Sequence, residues 1–344
     1  MRIESLTAKP LAVLLTNPFV IASARVEVTP NVLVEVEVRD EVTGESAIGL
    51  GECATLHPVT EETQASVLAH LAKWPAWSPA ELRGSAAQGV HTALEDAYAR
   101  LEGRPLRYAL AGNRTPASRL ITDITLPIGP LDELGHLAKA WRARGFTCFK
   151  VKVGKDADAD LRALERIHHL VPDATFRIDA NAGYSAVEAI AVARACIRLG
   201  LIIECFEQPC GKHALDAMAE VAAALDIPVI ADESFQGRDD LALLAKERAA
   251  DGINLKLAKL GSLRSAVELG RLAREQYGMK LMVGAMVETR LGITAAANVA
   301  AALGGVEYPD LDTAFLLAAD PFTGGYTANG PQLLLTDGPG LDCH

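Results

Sequence analysis

Three single carboxylates end three successive strand-like segments: Asp179 in FRIDAN, Glu207 in CFEQP and Asp232 in VIADES. A lysine strand stands on each side, KVKVG with Lys150 and Lys152 before them and NLKLAK with Lys256 after them. Three converging carboxylates suit a hard cation such as Mg²⁺, which takes oxygen ligands and keeps positions open for substrate. Two flanking lysines can supply a base and an acid from opposite sides. Together these residues point to removal and return of a carbon-bound proton next to a carboxylate. That chemistry requires them all to reach one point in space.

The surrounding pattern supplies the elements that would bring them there. From about Leu120 onward, short apolar strands alternate with amphipathic helices: ITDITL, helix Leu131–Arg144, CFKVKV, helix Ala159–Leu170, FRIDA, helix Ala186–Leu199, IECFE, helix Leu215–Leu225, PVIADE, helix Arg238–Glu247, GINLKL, helix Leu263–Tyr277, KLMVG and helix Thr289–Leu303. Strands recur about every 25 to 30 residues, the length of one βα unit. Seven repeats and an eighth strand-like segment at Tyr308–Asp312 predict a parallel (β/α)7β TIM-like barrel. An open doubly wound sheet is the alternative, but no GxGxxG turn follows any strand. In a barrel the site lies at the carboxyl ends of the strands. Residues i and i+2 of a strand share a face, so Lys150/Lys152, Asp179/Asn181, Asn254/Lys256 and Asp310/Asp312 can each face the mouth as a pair. A lone Asp at a strand end is often a helix cap. Three on successive strands between lysine strands are poorly explained that way. Lys259 reads as a loop or helix-start residue beyond its strand, and Glu233 as either a partner of Lys256 or a cap. His168-His169 reads as a solvated helix face, and Asp156, Asp158 and Asp160 as caps of the next helix.

Before the barrel the chain reads as α+β. NVLVEVEVR at Asn31–Arg39 alternates as an antiparallel strand and returns through AIGLGECA; helices follow at about Glu61–Ala72 and Ser85–Glu102. The expected organisation is an α+β capping domain at residues 1–117, the barrel at 118–319, and a Gly- and Pro-rich segment at 320–344 packing back on the capping domain.

Composition narrows the function classes. The net charge of -11 argues against a nucleic-acid partner, and no run of 18 apolar residues suggests a membrane span. The six cysteines form no CxxC pair and read as reduced. PLAVLL followed by Ala22-Ser23-Ala24 imitates a signal peptide, but Glu4 occupies the would-be basic region and Asn17-Pro18 interrupts the apolar run. A cytoplasmic protein is expected, with homo-oligomerisation left open.

The motif set resembles the enolase superfamily, and within it the muconate-lactonizing subgroup. KVKVG looks like that subgroup's KxK strand, DAN, EQP and ADES like its three ligand strands, and NLKLAKLGS like its opposing lysine strand. The resemblance runs over essentially the whole chain. It implies one Mg²⁺ per subunit on Asp179, Glu207 and Asp232, with Lys152 and Lys256 as the acid/base pair and an enediolate between them. Lys150 would sit beside Lys152 and hold it partly neutral by like-charge repulsion. Asn181 and Glu233 would support the site. Asp310-Leu-Asp312 resembles the DxD segment of the dipeptide epimerases, where two acids bind the free ammonium of a small dipeptide substrate. Muconate cycloisomerases, o-succinylbenzoate synthases and N-acylamino-acid racemases of the same subgroup are the alternatives, and their substrates lack that amine. A non-catalytic peptide-binding barrel is the alternative of another kind. Side-chain preference stays open: Arg25 would favour an acidic substrate residue, whereas Glu52, Glu61 and Glu62 would favour a cationic one.

Overall fold

The computed structural model describes residues 1–21 and 24–344. Ala22 and Ser23, part of the signal-like reading, lie outside the described residues. The amino-terminal strands are β1 (Arg2–Leu11), β2 (Leu14–Val20), β3 (Arg25–Val28), β4 (Asn31–Arg39) and β5 (Ser46–Cys53). β1, β4 and β5 form one antiparallel sheet in that order, and β2 pairs with β3 in a separate hairpin. The alternation in β4 has the expected use, because Val32, Val34, Val36 and Val38 are all fully buried. Helices α1 (Gln64–Leu71), α2 (Gly84–Leu101) and α3 (Leu106–Ala111) follow. α2 lies close against β5, and the contact demands glycine: a Cβ on Gly51 would fall 1.9 Å from Gly89 O.

Next come β6 (Arg119–Ile121), β7 (Ile124–Leu126), α4 (Leu131–Ala143), β8 (Cys148–Lys152), α5 (Ala157–Leu170), β9 (Thr175–Asp179), α6 (Ala186–Arg198), β10 (Ile202–Glu207), α7 (Leu215–Ala224) and β11 (Val229–Ala231). The rest are α8 (Arg238–Glu247), β12 (Gly252–Lys256), α9 (Leu257–Leu260), α10 (Leu263–Tyr277), β13 (Lys280–Gly284), α11 (Arg290–Leu303), β14 (Tyr308–Asp310), β15 (Tyr326–Asn329) and β16 (Gln332–Leu335). Strands β7 to β14 run parallel in sequence order as one eight-stranded sheet. Its first and last strands meet through side chains: Leu311 N donates to Thr122 Oγ1 at 2.8 Å, and Thr125 N donates to Asp312 Oδ2 at 2.5 Å. The predicted βα alternation is therefore present as a barrel.

One expectation is corrected and another sharpened. ITDITL is not one strand. It breaks at Thr122-Asp123, because the buried Asp123 turns inward to Arg177 at 2.9 Å, and β6 leaves the barrel to pair with β16. A four-residue helix, α9, follows β12 directly where a loop or helix start was expected.

The capping strands are tied to the barrel by buried polar groups. Glu52 at the end of β5 accepts from Thr289 N at 3.0 Å and Gly292 N at 3.0 Å, so it caps the start of α11. The carboxyl-terminal segment contacts the helices of the first unit: Leu341 N donates to Asp96 Oδ1 at 2.6 Å, and Arg107 donates to Thr336 O at 2.6 Å. No helix among the described residues is long and apolar enough to cross a membrane.

Candidate active site

Strand register places the chemistry. Lys152 pairs with Asp179, and Asp179 with Glu207, while Lys256 pairs with Gly284 and Gly284 with Asp310. These residues form the last layer of the ladder at the carboxyl ends of the strands. β8 and β12 are second and sixth of eight, so Lys152 and Lys256 enter from opposite sides of the mouth. Gly284 between Lys256 and Asp310 keeps the layer open, because a Cβ there would meet Asn254 Oδ1 at 2.8 Å and Asp310 Oδ2 at 3.0 Å.

The layer is buried and dense in charge. Asp179, Glu207 and Asp312 are fully buried, and Asp232, Lys150, Lys152, Lys256 and Asp310 nearly so. Lys150 Nζ lies 3.1 Å from Asp179, 2.6 Å from Glu207 and 2.7 Å from Asp310. Lys152 Nζ donates to Asp179 Oδ2 at 2.6 Å, and Lys256 Nζ to Asp232 Oδ2 at 2.7 Å. Burial alone would raise the Asp179 and Asp232 carboxyls, but the adjacent ammonium groups outweigh it and hold both well below the usual carboxylate range. Burial likewise opposes the charge on Lys150 and Lys256. Their carboxylate neighbours win, and both lysines are raised. Glu207 moves the other way, raised by burial first and by Asp179 second.

Supporting groups fix these side chains. Asn254 Nδ2 donates to Glu207 Oε1 at 2.8 Å. Asn181 N donates to Asp179 Oδ1 at 3.0 Å, and its side chain reaches Glu233 Oε1 at 3.4 Å. Glu233 is pushed up to about 7 by burial first and Asp232 second. Gln208 Oε1 accepts from Asp232 N at 2.9 Å and from Ser234 N at 3.1 Å, which sets the β11 end. Asn181, Ala182 and Gln208 hold positive φ of 44, 65 and 34°, so backbone strain is concentrated where the ligand strands end.

Sequence reasoning missed two members. Lys259, read as a loop or helix-start residue, belongs to the short helix α9. The turn of α9 folds it back, and its buried Nζ donates to Asp232 Oδ1 at 2.6 Å and Asp232 O at 2.7 Å. Its position one helical turn past β12 was the available signal. Asp123 is the second. Its oxygens and those of Asp310 and Asp312 come within 4.8 Å of one another. Asp123 spends its charge on Arg177 at 2.9 Å, and Asp312 Oδ2 accepts Thr125 N, whereas Asp312 Oδ1 is buried with no hydrogen-bond partner. Asp312 is pushed up to about 6, by burial first and by Asp310 second.

The residues fit a hard divalent cation better at the other trio. Asp179, Glu207 and Asp232 offer only oxygen, and four ammonium groups, those of Lys150, Lys152, Lys256 and Lys259, crowd around them. Lys150 Nζ is near Glu207 Oε2 but off the hydrogen-bond direction, so that buried oxygen has no directed partner.

A cavity opens above this layer. Its floor carries Lys150, Lys152, Asn181, Asp232, Lys256, Asp310 and Asp312; its roof is apolar, with Phe19, Ile21, Leu56, Val59 and Met286. The charged candidates for side-chain selection stand elsewhere. Arg25 does not line this cavity, because the β3 alternation turns Val26 inward and Arg25 out to Glu27 at 2.9 Å. Glu52 is spent on α11, Glu62 accepts Ala86 N at 3.3 Å, and Glu61 is exposed.

The sequence model described as "Enolase C-terminal domain-like" matches residues 133–342. The chain is 34% identical to an "Aromatic dipeptide epimerase" of Herpetosiphon aurantiacus over 97% of this chain and 96% of that protein. Its structure superposes with a TM-score of 0.90 on a substrate-liganded complex of the L-Ala-D/L-Glu epimerase from Bacillus subtilis, at 33% identity, covering 100% of this chain and 99% of the other. With a dipeptide epimerase from Enterococcus faecalis complexed with Mg and L-Leu-L-Tyr, the TM-score is 0.86 at 29% identity, covering 100% and 99%.

Proposed function

The chain belongs to the enolase C-terminal domain-like family, and from that premise we propose that it is a Mg²⁺-dependent dipeptide epimerase. It inverts the α-carbon of the carboxyl-terminal residue of a dipeptide. The observation that carries this reading is the pair of buried lysines entering one cavity from opposite strands beside an acid pair with a free oxygen, Asp312 Oδ1. Epimerase relatives and neighbours complexed with Mg and dipeptides support it.

Asp179, Glu207 and Asp232 would hold one Mg²⁺ per subunit. Bound there, it supplies positive charge beside the substrate carboxylate, where charge grows as the α-proton leaves. Lys152 Nζ takes the proton from one face, and Lys256 Nζ gives one to the other; in the reverse direction the roles exchange. Both ammonium groups are paired to carboxylates of the trio. Base strength at Lys256 is therefore tied to the charge on Asp232, the carboxylate that raises it most. Lys150 holds Asp310 at 2.7 Å and places it beside Asp312, so the two acids can receive the dipeptide ammonium. A muconate or succinylbenzoate has no cation to offer this pair. Asn181 and Glu233 support the rim. The apolar roof selects a hydrophobic side chain on the inverted residue, since no capping-unit charge among the described residues lines the cavity. We take residues 1–117 as the capping domain, 118–319 as the barrel and 320–344 as a segment returning to the cap.

The test is α-proton exchange in D₂O over a dipeptide library, read by mass spectrometry. Chelator-treated protein should exchange nothing, and Mg²⁺ should restore exchange and inversion. Full turnover by the stripped protein would refute the metal role, and equal rates on N-acetylated and free dipeptides would favour an N-acylamino-acid racemase.

A further inference from the structure

We propose that a second apolar cavity beside the reaction cavity is the subsite for the side chain of the dipeptide's amino-terminal residue, and that it takes a branched aliphatic or single aromatic group. This rests on the dipeptide reading above. The cavity, of ≈ 110 Å³, lies between α4, the end of β7 and the turn after β14; Leu137, Trp141, Phe315, Leu316 and Pro18 form its walls. Phe19 and Thr125 belong to both cavities.

The partition is what gives the second cavity its occupant. Thr125 N–H is the group that holds Asp312 Oδ2. An ammonium on the Asp310/Asp312 pair therefore sits against the dividing wall. The α-carbon bearing that ammonium is one bond away from it. Its side chain must leave near Thr125 and Phe19, and beyond them the open volume is this cavity. The walls suit an apolar group. The one ionisable wall residue, Arg144, has its guanidinium 4.1 Å from the Trp141 ring centroid, stacked on the ring. Trp141 and Phe315 stand edge to face at 6.5 Å, and Phe315 is half-buried, so aromatic surface remains for a ligand to cover.

The roof over this cavity is anchored at both ends. Ile128 N donates to Val20 O at 3.0 Å, and Ala318 N donates to Leu14 O at 2.8 Å. The stretch Thr16–Phe19 is thereby held across the opening between two barrel contacts, which shapes a subsite in advance of binding.

The experiment compares kcat/KM for inversion of L-Ala-L-Leu, L-Leu-L-Leu and L-Phe-L-Leu, in the parent and in Leu137→Trp, which fills the cavity from α4. The parent should prefer Leu or Phe over Ala at the first residue by roughly ten-fold or more, and Leu137→Trp should bring that ratio towards one. Phe315→Ala provides the opposite change: widening the cavity should raise kcat/KM for L-Phe-L-Leu relative to L-Leu-L-Leu, and it decides the matter if Leu137→Trp does not fold. No preference at the first residue in the parent, or a preference that neither variant alters, would overturn the subsite. Failure of the dipeptide reading looks different, since then none of the three peptides is inverted.

Discussion

At the residue scale the site is a balance of buried ammonium and carboxylate groups in which the two opposed lysines rest on different acids. Lys152 rests on Asp179 and Lys256 on Asp232, on opposite sides of the mouth. If each serves one face, Lys152→Ala and Lys256→Ala both stop inversion, yet each still exchanges the α-proton of one epimer, and the two retain opposite epimers. Proton NMR in D₂O on both epimers checks this; a variant dead towards both, with the other exchanging, contradicts the two-base mechanism. The acid pair makes its own prediction. Asp312→Asn removes the charge at a buried oxygen of the acid pair that has no hydrogen-bond partner. It should cost about 1.5 to 3 kcal/mol in kcat/KM, and the loss should be far smaller on an N-acetylated peptide. Equal losses on both peptides would remove Asp312 from ammonium binding.

At the element scale the parallel ladder decides which side chains meet. One register carries Lys152, Asp179 and Glu207 on adjacent strands, and another carries Lys256, Gly284 and Asp310. Gly284 is the position where the layer has no side chain. Gly284→Ala places a methyl group within 3.0 Å of Asp310 Oδ2 and closer still to Asn254. Overpacking of this kind costs about 1 to 3 kcal/mol. The expected outcome is a modest loss in melting temperature with a disproportionate loss of kcat/KM, measured on one preparation. A variant with unchanged kinetics would mean that the layer repacks without moving its acids. α9 acts at the same scale: its single turn folds Lys259 back onto Asp232, so a cation three residues past Lys256, beyond the end of β12, becomes part of the carboxylate's surroundings.

At the scale of the whole molecule, two carboxylates join the cap to the barrel. Glu52 caps α11, and Glu288, beside it, accepts Gln88 Nε2 from α2 at 3.0 Å. Glu288 is pushed up to about 8, by burial first and by Glu52 second, from an ordinary value of 4.5. A raised carboxyl keeps a proton in the fold that the unfolded chain releases. Its contribution to stability is therefore full below about pH 4.5 and is lost as the pH rises through about 8. Glu288→Gln should flatten the fall in melting temperature across that window while leaving the acid side little changed. An unaltered pH slope would show that Glu288 is ionised in the native protein. The apolar roof is also a whole-molecule feature, since Phe19, Ile21, Leu56 and Val59 come from the cap and the charged floor from the barrel.

The barrel and the identity of its charged layer were legible in the chain, because βα periodicity and i, i+2 alternation are local properties that survive without tertiary contacts. Helix limits at Arg238–Glu247 and Leu263–Tyr277 match residue for residue. ITDITL misled because its break depends on Arg177, 54 residues further on, and no local pattern announces a buried ion pair. The same reason hid Asp123 and Lys259, whose partners are distant in sequence or lie around a turn that propensity does not mark. Side-chain selection was illegible for a different cause. Arg25, Glu52, Glu61 and Glu62 were all plausible by charge, but which face of β3 looks inward, and which carboxylate a helix end consumes, is decided only when the cap closes on the barrel. Local sequence therefore determined the elements and the charged layer at the strand ends, while the packing of the amino-terminal strands on the barrel decided what shape and polarity surround it.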